Sequence, residues 1–256
     1  MTKVVLIGAG NVASSMGPAL QSIESIEILQ VWSHTSQSAE TLAKKLNCLS
    51  TTDLNSILPD ADIYVYALKD SVLQTIINSV NCTNTNALHI HTAGSIGLDV
   101  FGADKQHCGV IYPFQTFSRT RQIPMLGVPL FIEGHSDNDI YKIKQLAQQL
   151  SGCVFDFTSE NRKWLHLAGV FANNFSNVMF GIATEIVAKA GLSKEILLPI
   201  MHETVNKLHD MTAQEAQTGP AARGDNEVVK QQYELLTDDK QRAIYKLISE
   251  MITNKQ

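Results

Sequence analysis

Over the first 157 positions, short apolar runs rich in β-branched residues alternate with stretches in which apolar positions recur every three or four residues. Lys3–Ile7 (KVVLI) is the first such run; it ends in Gly8, and residues 11–23 then suit a helix. Ile28–Ser33 predicts a second strand and Ser36–Leu46 a second helix, capped by Ser36 or Ser38. The alternation continues with a strand at 62–68 (DIYVYAL), a helix at 70–79 with Asp70 as its expected cap, and strands at 87–91 (ALHIH) and 109–112 (GVIY). FIE at 131–133, a helix over 138–150 and VFDF at 154–157 extend the sheet at its far edge. Such alternation is the signature of βαβ units, and it predicts an α/β fold with a doubly wound parallel sheet.

The pattern changes near residue 158. Asn161–Ala190 reads as one long helix, apolar or small on nearly every face, which predicts a buried core helix ended by Gly191. Ser193 is placed to cap a helix running to about Asp210, Asp225 a third reaching Leu236, and Thr237 or Asp238 the last. The division expected is therefore residues 1–157 for the parallel α/β domain and 158–256 for an all-helical one.

Composition narrows the function classes. Of 256 residues 44% are apolar and 18% charged, a globular balance that excludes a disordered or fibrous chain. Residues 1–157 carry 9 basic and 13 acidic side chains and the remainder 11 and 12, so neither part has the basic surplus that nucleic acid or an anionic membrane calls for. Cys48, Cys82, Cys108 and Cys153 lie far apart with no C-x-x-C, which predicts reduced thiols in a cytoplasmic protein and not a disulfide frame or zinc site. No run approaches 18 uninterrupted apolar residues, and the chain passes straight into a strand pattern, so neither a membrane span nor a signal peptide is expected.

The sharpest motif is Gly8-Ala9-Gly10-Asn11-Val12-Ala13, a G-x-G-x-x-A loop placed between the first strand and the first helix. The first glycine permits the tight turn and the second lets a pyrophosphate approach the backbone. Ala13 lets helix and strand lie close, and the helix N-terminus offers unpaired N–H donors to the anion. The backbone of Leu68 and Lys69, at the end of the third predicted strand, would border the same cofactor. An acidic residue at the end of the second strand would accept the ribose 2′-hydroxyl of NAD, but that strand ends in Ser33-His34-Thr35. Hydroxyls and an imidazole donate to a 2′-phosphate, which favours NADP over NAD, although no Arg sits in that loop.

Candidate chemistry lies in three places. His166, Asn173 and Asn177 stand at i, i+7 and i+11, within about 20° of one another at 100° per residue, so they draw a polar stripe on an apolar helix. Either the stripe faces a nicotinamide cleft, with His166 as proton donor and the asparagines orienting substrate, or it is hydrogen-bonded across a helix–helix or dimer interface. His91 ends the strand at 87–91 and Ser95 follows it, at the carboxyl edge where doubly wound sheets bind ligands. The H-x-H of His89 and His91 lacks a third ligand at a suggestive spacing, and no metal is expected. In Gly219–Asp225, Arg223 could grip a carboxylate or phosphate, while Asp225 could simply cap the next helix. Tyr112, Phe114 and Phe117 could surround a substrate or serve as hinge core.

The G-x-G-x-x-A start, YALKD (66–70), HTAGS (91–95), YPFQTF (112–117), HLAGVFANNFSN (166–177) and TGPAARGD (218–225) together resemble the bacterial Rossmann-like proteins that carry a C-terminal domain of unknown function. Those are distant relatives of pyrroline-5-carboxylate reductase, the deazaflavin-dependent NADP oxidoreductases and the β-hydroxyacid dehydrogenases. The resemblance spans nearly the whole chain, with TGP-x-x-RGD its most specific part. It implies an N-terminal Rossmann-type NADP-binding domain, a helical second domain and a homodimer joined through helices, and it implies no particular substrate. Two departures stand out. Tyr112-Pro113 replaces the His-Pro frequent in relatives, and Lys163 lies 11 residues before Asn174, about 16 Å along a helix. The dehydrogenases hold that lysine about one turn before their asparagine.

The reading that results is an NADP-binding oxidoreductase passing hydride to or from a small imine or carbonyl compound in an interdomain cleft. A nicotinamide-binding sensor or scaffold without turnover is the alternative from a different class.

Overall fold

The computed structural model describes residues 1–254. The chain divides into two compact units, Met1–Asn173 and Asn174–Gln256.

The first unit is built on an eight-stranded sheet. In chain order its elements are β1 (Thr2–Ile7), α1 (Asn11–Gln21), β2 (Ile26–Trp32), α2 (Ser36–Leu46), β3 (Leu49–Thr51), β4 (Ile63–Tyr66), α3 (Asp70–Ser79), β5 (Leu88–His91), β6 (Cys108–Pro113), β7 (Leu130–Gly134), α4 (Asp137–Leu150), β8 (Val154–Asp156) and α5 (Ser159–Gly169). The strand order is β3-β2-β1-β4-β5-β6-β7-β8. Every neighbouring pair is parallel except β6 and β7, which run antiparallel. The predicted doubly wound sheet is present, extended by β7 and β8 at the far edge. The short β3 has no period-2 stretch long enough to announce it.

The sheet is covered on both sides, which is why β1 reads as an unbroken apolar run: Val4, Val5, Leu6 and Ile7 are all buried. On one face Ala13 and Met16 of α1, Leu42 and Leu46 of α2 and Ile143 of α4 pack on Val4, Leu6 and Ile90. On the other, Leu73 and Ile77 of α3 and Phe101 pack on Val5, Ile7, Tyr64 and Tyr66. The chain order reverses between β1 and β4, the switch point where doubly wound sheets open a crevice beyond their carboxyl ends.

Several local expectations change. The N-cap of α2 is Thr35, in extended conformation and without a side-chain cap, in place of Ser36 or Ser38. Asp70 is the first residue of α3 and not its cap, because its carboxylate is taken by the Ser95 hydroxyl. The helix after β8 is not uniformly α: α5 gives way to a π-helical stretch over Val170–Phe175, followed by α6 (Ser176–Lys189). It is not a buried core helix within this chain, since Phe171 is 62% and Val178 50% exposed.

The second unit comprises α6, α7 (Leu198–Asn206), the turn Gly219–Asp225, α8 (Asn226–Leu235) and α9 (Asp239–Thr253). Gly191 ends α6 region in the left-handed conformation (φ 73°). Ser193 precedes a 3₁₀ turn, Lys194–Leu197, and its hydroxyl pairs with the Glu195 carboxylate in place of capping. Asp225 and Asp238 cap α8 and α9 through the N–H groups of Val228 (3.3 Å) and Gln241 (2.9 Å). Gln241 donates to Glu185 of α6 (2.9 Å), and Tyr245 to Gln232 of α8 (2.7 Å).

A candidate active site at the carboxyl edge of the sheet

The loop after β1 is a tight fit on one side and open on the other. Gly8 has φ 116°, and a Cβ there would stand 2.2 Å from the Ala67 carbonyl oxygen and 3.2 Å from Leu68 Cδ2. Only glycine sits there without moving the end of β4. Gly8 N–H donates to Trp32 O (2.8 Å), which fixes the loop beside the end of β2. Gly10 is the N-cap of α1, nothing lies within 4 Å of where its Cβ would be, and the first turn carries neither a side-chain cap nor an acidic residue. Open space before uncapped N–H groups is what a pyrophosphate requires, so the loop fits a dinucleotide. Asn11 is exposed, Val12 half-buried, and Ala13 buried. Ser33 is buried while His34 and Thr35 are exposed, and this turn adjoins the glycine loop because Ile7 pairs with Trp32.

From Leu68 the edge continues through contacts. Lys69 is exposed, and Asp70 accepts from Ser95, joining the loops that follow β4 and β5. Next to Ser95, Gly94 is buried beneath two side chains: a Cβ there would stand 2.6 Å from His166 Nδ1 and 2.7 Å from Tyr112 Cζ. Tyr112, near the end of β6, and His166, on α5, form a hydrogen bond of 3.0 Å between Oη and Nδ1. Burial pushes the Tyr112 phenol up to about 12, with Arg162 pulling it down and Asp70 raising it further. It is therefore protonated at neutral pH, and with its O–H directed at Nδ1 the His166 ring proton stands on Nε2. Phe114 packs under α5 at Gly169, where a Cβ would meet its ring at 2.7 Å.

Arg162 anchors α5. It is fully buried; Nη1 donates to Glu133 (2.6 Å), and Nη2 donates to Ile96 O (2.6 Å) and Ser159 Oγ (3.1 Å). Glu133 on β7 also accepts from Ser159 N (2.9 Å) and Oγ (2.5 Å). This ion pair ties α5 to β7 and to the loop behind Ser95, and so sets where His166 stands. Nothing in the sequence pattern singles out Arg162 or Glu133, which lie 29 residues apart. A lone arginine among the polar positions of a helix start reads as solvated surface.

His91 lies below this edge. It is fully buried, its Nδ1 accepts from Ala93 N–H (3.2 Å), and its Nε2 has no hydrogen bond of ordinary geometry, although the Gly97 backbone favours the charged form slightly. Burial, reinforced by Arg162, brings its pKa down to about 3, so it is neutral at working pH. His89 on the same side shares a hydrogen bond with Tyr66 Oη (2.9 Å) and stacks on Tyr64. Each imidazole thus has one nitrogen paired internally, and among the described residues no group of three or more His, Cys, Asp or Glu is placed to hold a metal.

Other expected site residues stand elsewhere. Asn173 and Asn177 are exposed, and the π-helical stretch interrupts the regular 100° steps on which their stripe with His166 was drawn. Arg223 is exposed in the turn of the second unit, and the four cysteines are free. Among the described residues no helix is long and apolar enough to cross a membrane.

Sheet order, switch point and glycine loop define a Rossmann-type α/β protein with a helical C-terminal unit. Residues 3–92 match the family described as NADP oxidoreductase, coenzyme F420-dependent, and residues 128–252 match a domain of unknown function, DUF2520. A Bacteroides fragilis protein described as a "putative NADP oxidoreductase" is 41% identical, with 99% of this chain and 98% of that one covered and a TM-score of 0.92. The chain belongs to that protein's family. The fold is shared further with 1-pyrroline-5-carboxylate reductase from Streptococcus pyogenes (14% identity, 99% and 97% covered, TM-score 0.66). It is also shared with pyrroline carboxylate reductase from Plasmodium falciparum, solved with NADP bound (12% identity, 99% and 96% covered, TM-score 0.62). No curated protein matches the chain.

Proposed function

We propose that the chain is an NADP-dependent oxidoreductase acting on a small imine or carbonyl compound. The observation that carries this reading is the continuous series of contacts from the glycine loop to the Tyr112–His166 pair, through Leu68, Asp70, Ser95 and Gly94. The family's NADP oxidoreductase description supports the cofactor class. The loop Gly8–Ala13 would hold the pyrophosphate, and Ser33, His34 and Thr35, with no carboxylate among them, favour NADP over NAD. The nicotinamide, when bound, supplies or accepts hydride.

The remaining work falls to the protein. A carbonyl oxygen or imine nitrogen that gains hydride must also gain a proton. His166 Nε2–H is the donor to it, and Tyr112 Oη–H replaces that proton at Nδ1 across the 3.0 Å hydrogen bond. Burial first, and then Asp70, hold the phenol protonated at rest, while the Arg162 charge favours the phenolate left when the proton moves on. Phe114 and the Gly94 backbone pack against the pair. The test is NADPH consumption with a panel of cyclic imines and keto acids, alongside NADPH binding. Tyr112→Phe and His166→Ala should bind NADPH as the wild type does and lose about 10²-fold or more in turnover. Equal turnover in all three proteins would remove the pair from the mechanism.

The same reading includes a homodimer through the helical unit. None of α6, α7, α8 and α9 buries a residue fully, and Ile200, Leu235 and Leu247 are each at least 60% exposed. An apolar groove lined by Met179, Ile182, Leu236, Ile244 and Ile248 runs between α6 and α9. Helices that bury nothing within their own chain need a partner surface, and a second copy supplies it. Sedimentation should give a dimer and Leu247→Glu a monomer; a monomeric wild type would contradict the assignment.

A further inference from the structure

The turn that faces the adenosine end of the proposed cofactor site contains hydroxyls and an imidazole and no cation. A cation reaches it from a distant part of the sequence. Arg119 belongs to the connection between β6 and β7, and its Nη1 donates to Ser38 Oγ in the first turn of α2 (3.3 Å), across 81 residues of sequence. β6 lies four strands away from β2 in the sheet, so this connection does not stay above its own strands. It returns along the sheet face that carries α1 and α2, where Phe117 and Ile123 pack against the core. The Ser118 hydroxyl accepts from Arg121 N–H (3.1 Å), which turns the chain at the point where Arg119 projects.

Three further features make this corner suited to an anion. Gly8 N–H is bonded to Trp32 O, so Ser33, the next residue, lies against the glycine loop. Thr35 leaves the first turn of the 11-residue α2 without a side-chain cap, so its N–H groups are free to meet an acceptor. Arg119 is exposed and has no carboxylate within ion-pair distance among the described residues, so its charge is not neutralised. The nearby acid, Glu40, accepts from Ser36 Oγ (2.5 Å). A monoanionic carboxylate one turn into the helix would oppose a phosphate, and the guanidinium is what offsets it.

We propose that Arg119 selects a 2′-phosphorylated adenosine at the Ser33–Ser38 turn, acting from the β6–β7 connection in place of the arginine that the turn itself lacks. The inference rests on the nicotinamide reading above and deepens it. Bidentate pairing of a guanidinium with a phosphate is short-ranged and strong, and NADH presents nothing for it to grip. Ser38, already in contact with Arg119, orients the guanidinium toward the turn.

The experiment is calorimetric titration of the full chain with NADPH and NADH, for wild type, Arg119→Gln and Arg119→Lys, at low and at moderate salt. Wild type should prefer NADPH. Arg119→Gln should weaken NADPH binding about tenfold or more, leave NADH binding unchanged, and flatten the salt dependence of the NADPH titration. Arg119→Lys should fall between the two. Unchanged NADH affinity also reports that the variant is folded. A wild type that prefers NADPH together with an Arg119→Gln protein of undiminished preference would overturn the role of Arg119 and leave the nicotinamide reading standing. Equal affinity of the wild type for both cofactors would overturn it too. Binding of neither would remove the nicotinamide reading and this inference together.

Discussion

Acid should loosen this fold well above the pH at which its carboxylates protonate, because two imidazoles are locked neutral beneath the site. His89 and His91 are 3% and 0% exposed, and burial is the first cause that brings each to about 3. Lys105 and His107 add to it for His89, and Arg162 for His91. In the unfolded chain both return to about 6.5. At pH 7 the folded chain binds neither proton and the unfolded chain only a small fraction of them, so the two histidines cost little stability. Below about pH 6.5 the unfolded chain takes up protons that the folded chain refuses, and stability falls until the folded groups titrate near 3. Each histidine contributes a slope of about 1.4 kcal/mol per pH unit in that window, so the pair removes about 5 kcal/mol between pH 6.5 and 4.5. That is comparable with the whole stability of an ordinary domain. Urea unfolding followed by circular dichroism at pH 7, 5.5 and 4.5 measures it. His91→Asn retains an acceptor for the Ala93 N–H and removes one titration, and it should halve the slope. Stability that stays flat to pH 4.5, or a full slope in His91→Asn, would refute the reasoning.

Three further outcomes follow from distances in the site. In Gly94→Ala the new methyl would crowd His166 Nδ1 (2.6 Å) and Tyr112 Cζ (2.7 Å), so stability should fall by about 1–3 kcal/mol and turnover about 10²-fold with NADPH affinity retained, as thermal melts, assays and titrations would show. Gly8→Ala meets Ala67 O at 2.2 Å from a left-handed φ, so NADPH binding should be lost outright in calorimetry, and wild-type affinity there would contradict the account of the loop. Arg162→Met leaves the half-buried Glu133 without its cation and should cost about 3 kcal/mol in urea unfolding, and Glu133→Gln in the same background should recover part of the loss.

What could be read ahead of the structure was whatever is local. The Gly8–Ala13 loop declares itself because a tight turn, an open helix N-terminus and a close helix–strand contact all fall within six residues. The alternation of β1, α1, β2 and α2 is equally legible, since each element carries its own periodicity. The Tyr112–His166 pair is not local. Its members are 54 residues apart and meet only because β6 and α5 both end over Gly94. The Tyr112-Pro113 departure from relatives pointed at one half of it, and the helix stripe at the other. Nothing linked them. Asp70 was expected to cap α3 because an aspartate before an apolar run does so in most sequences; the competing partner, Ser95, is 25 residues on. Arg162 and Arg119 were invisible for the same reason, since their partners come from other strands and helices. The exposed apolar faces of α6–α9 show the converse. Only Asn161–Ala190 was expected to be buried, yet Phe171 and Val178 there are 62% and 50% exposed, and α7–α9 likewise bury no residue among those described.

The most direct test of the central claim is transfer of deuterium from the reduced nicotinamide carbon of labelled NADPH, read by mass spectrometry of imine and carbonyl products. Wild-type protein should place label in the reduced product, and the transfer should be lost in both Tyr112→Phe and His166→Ala, each still binding NADPH. Tight NADPH binding with no label transferred to any member of the panel would contradict it.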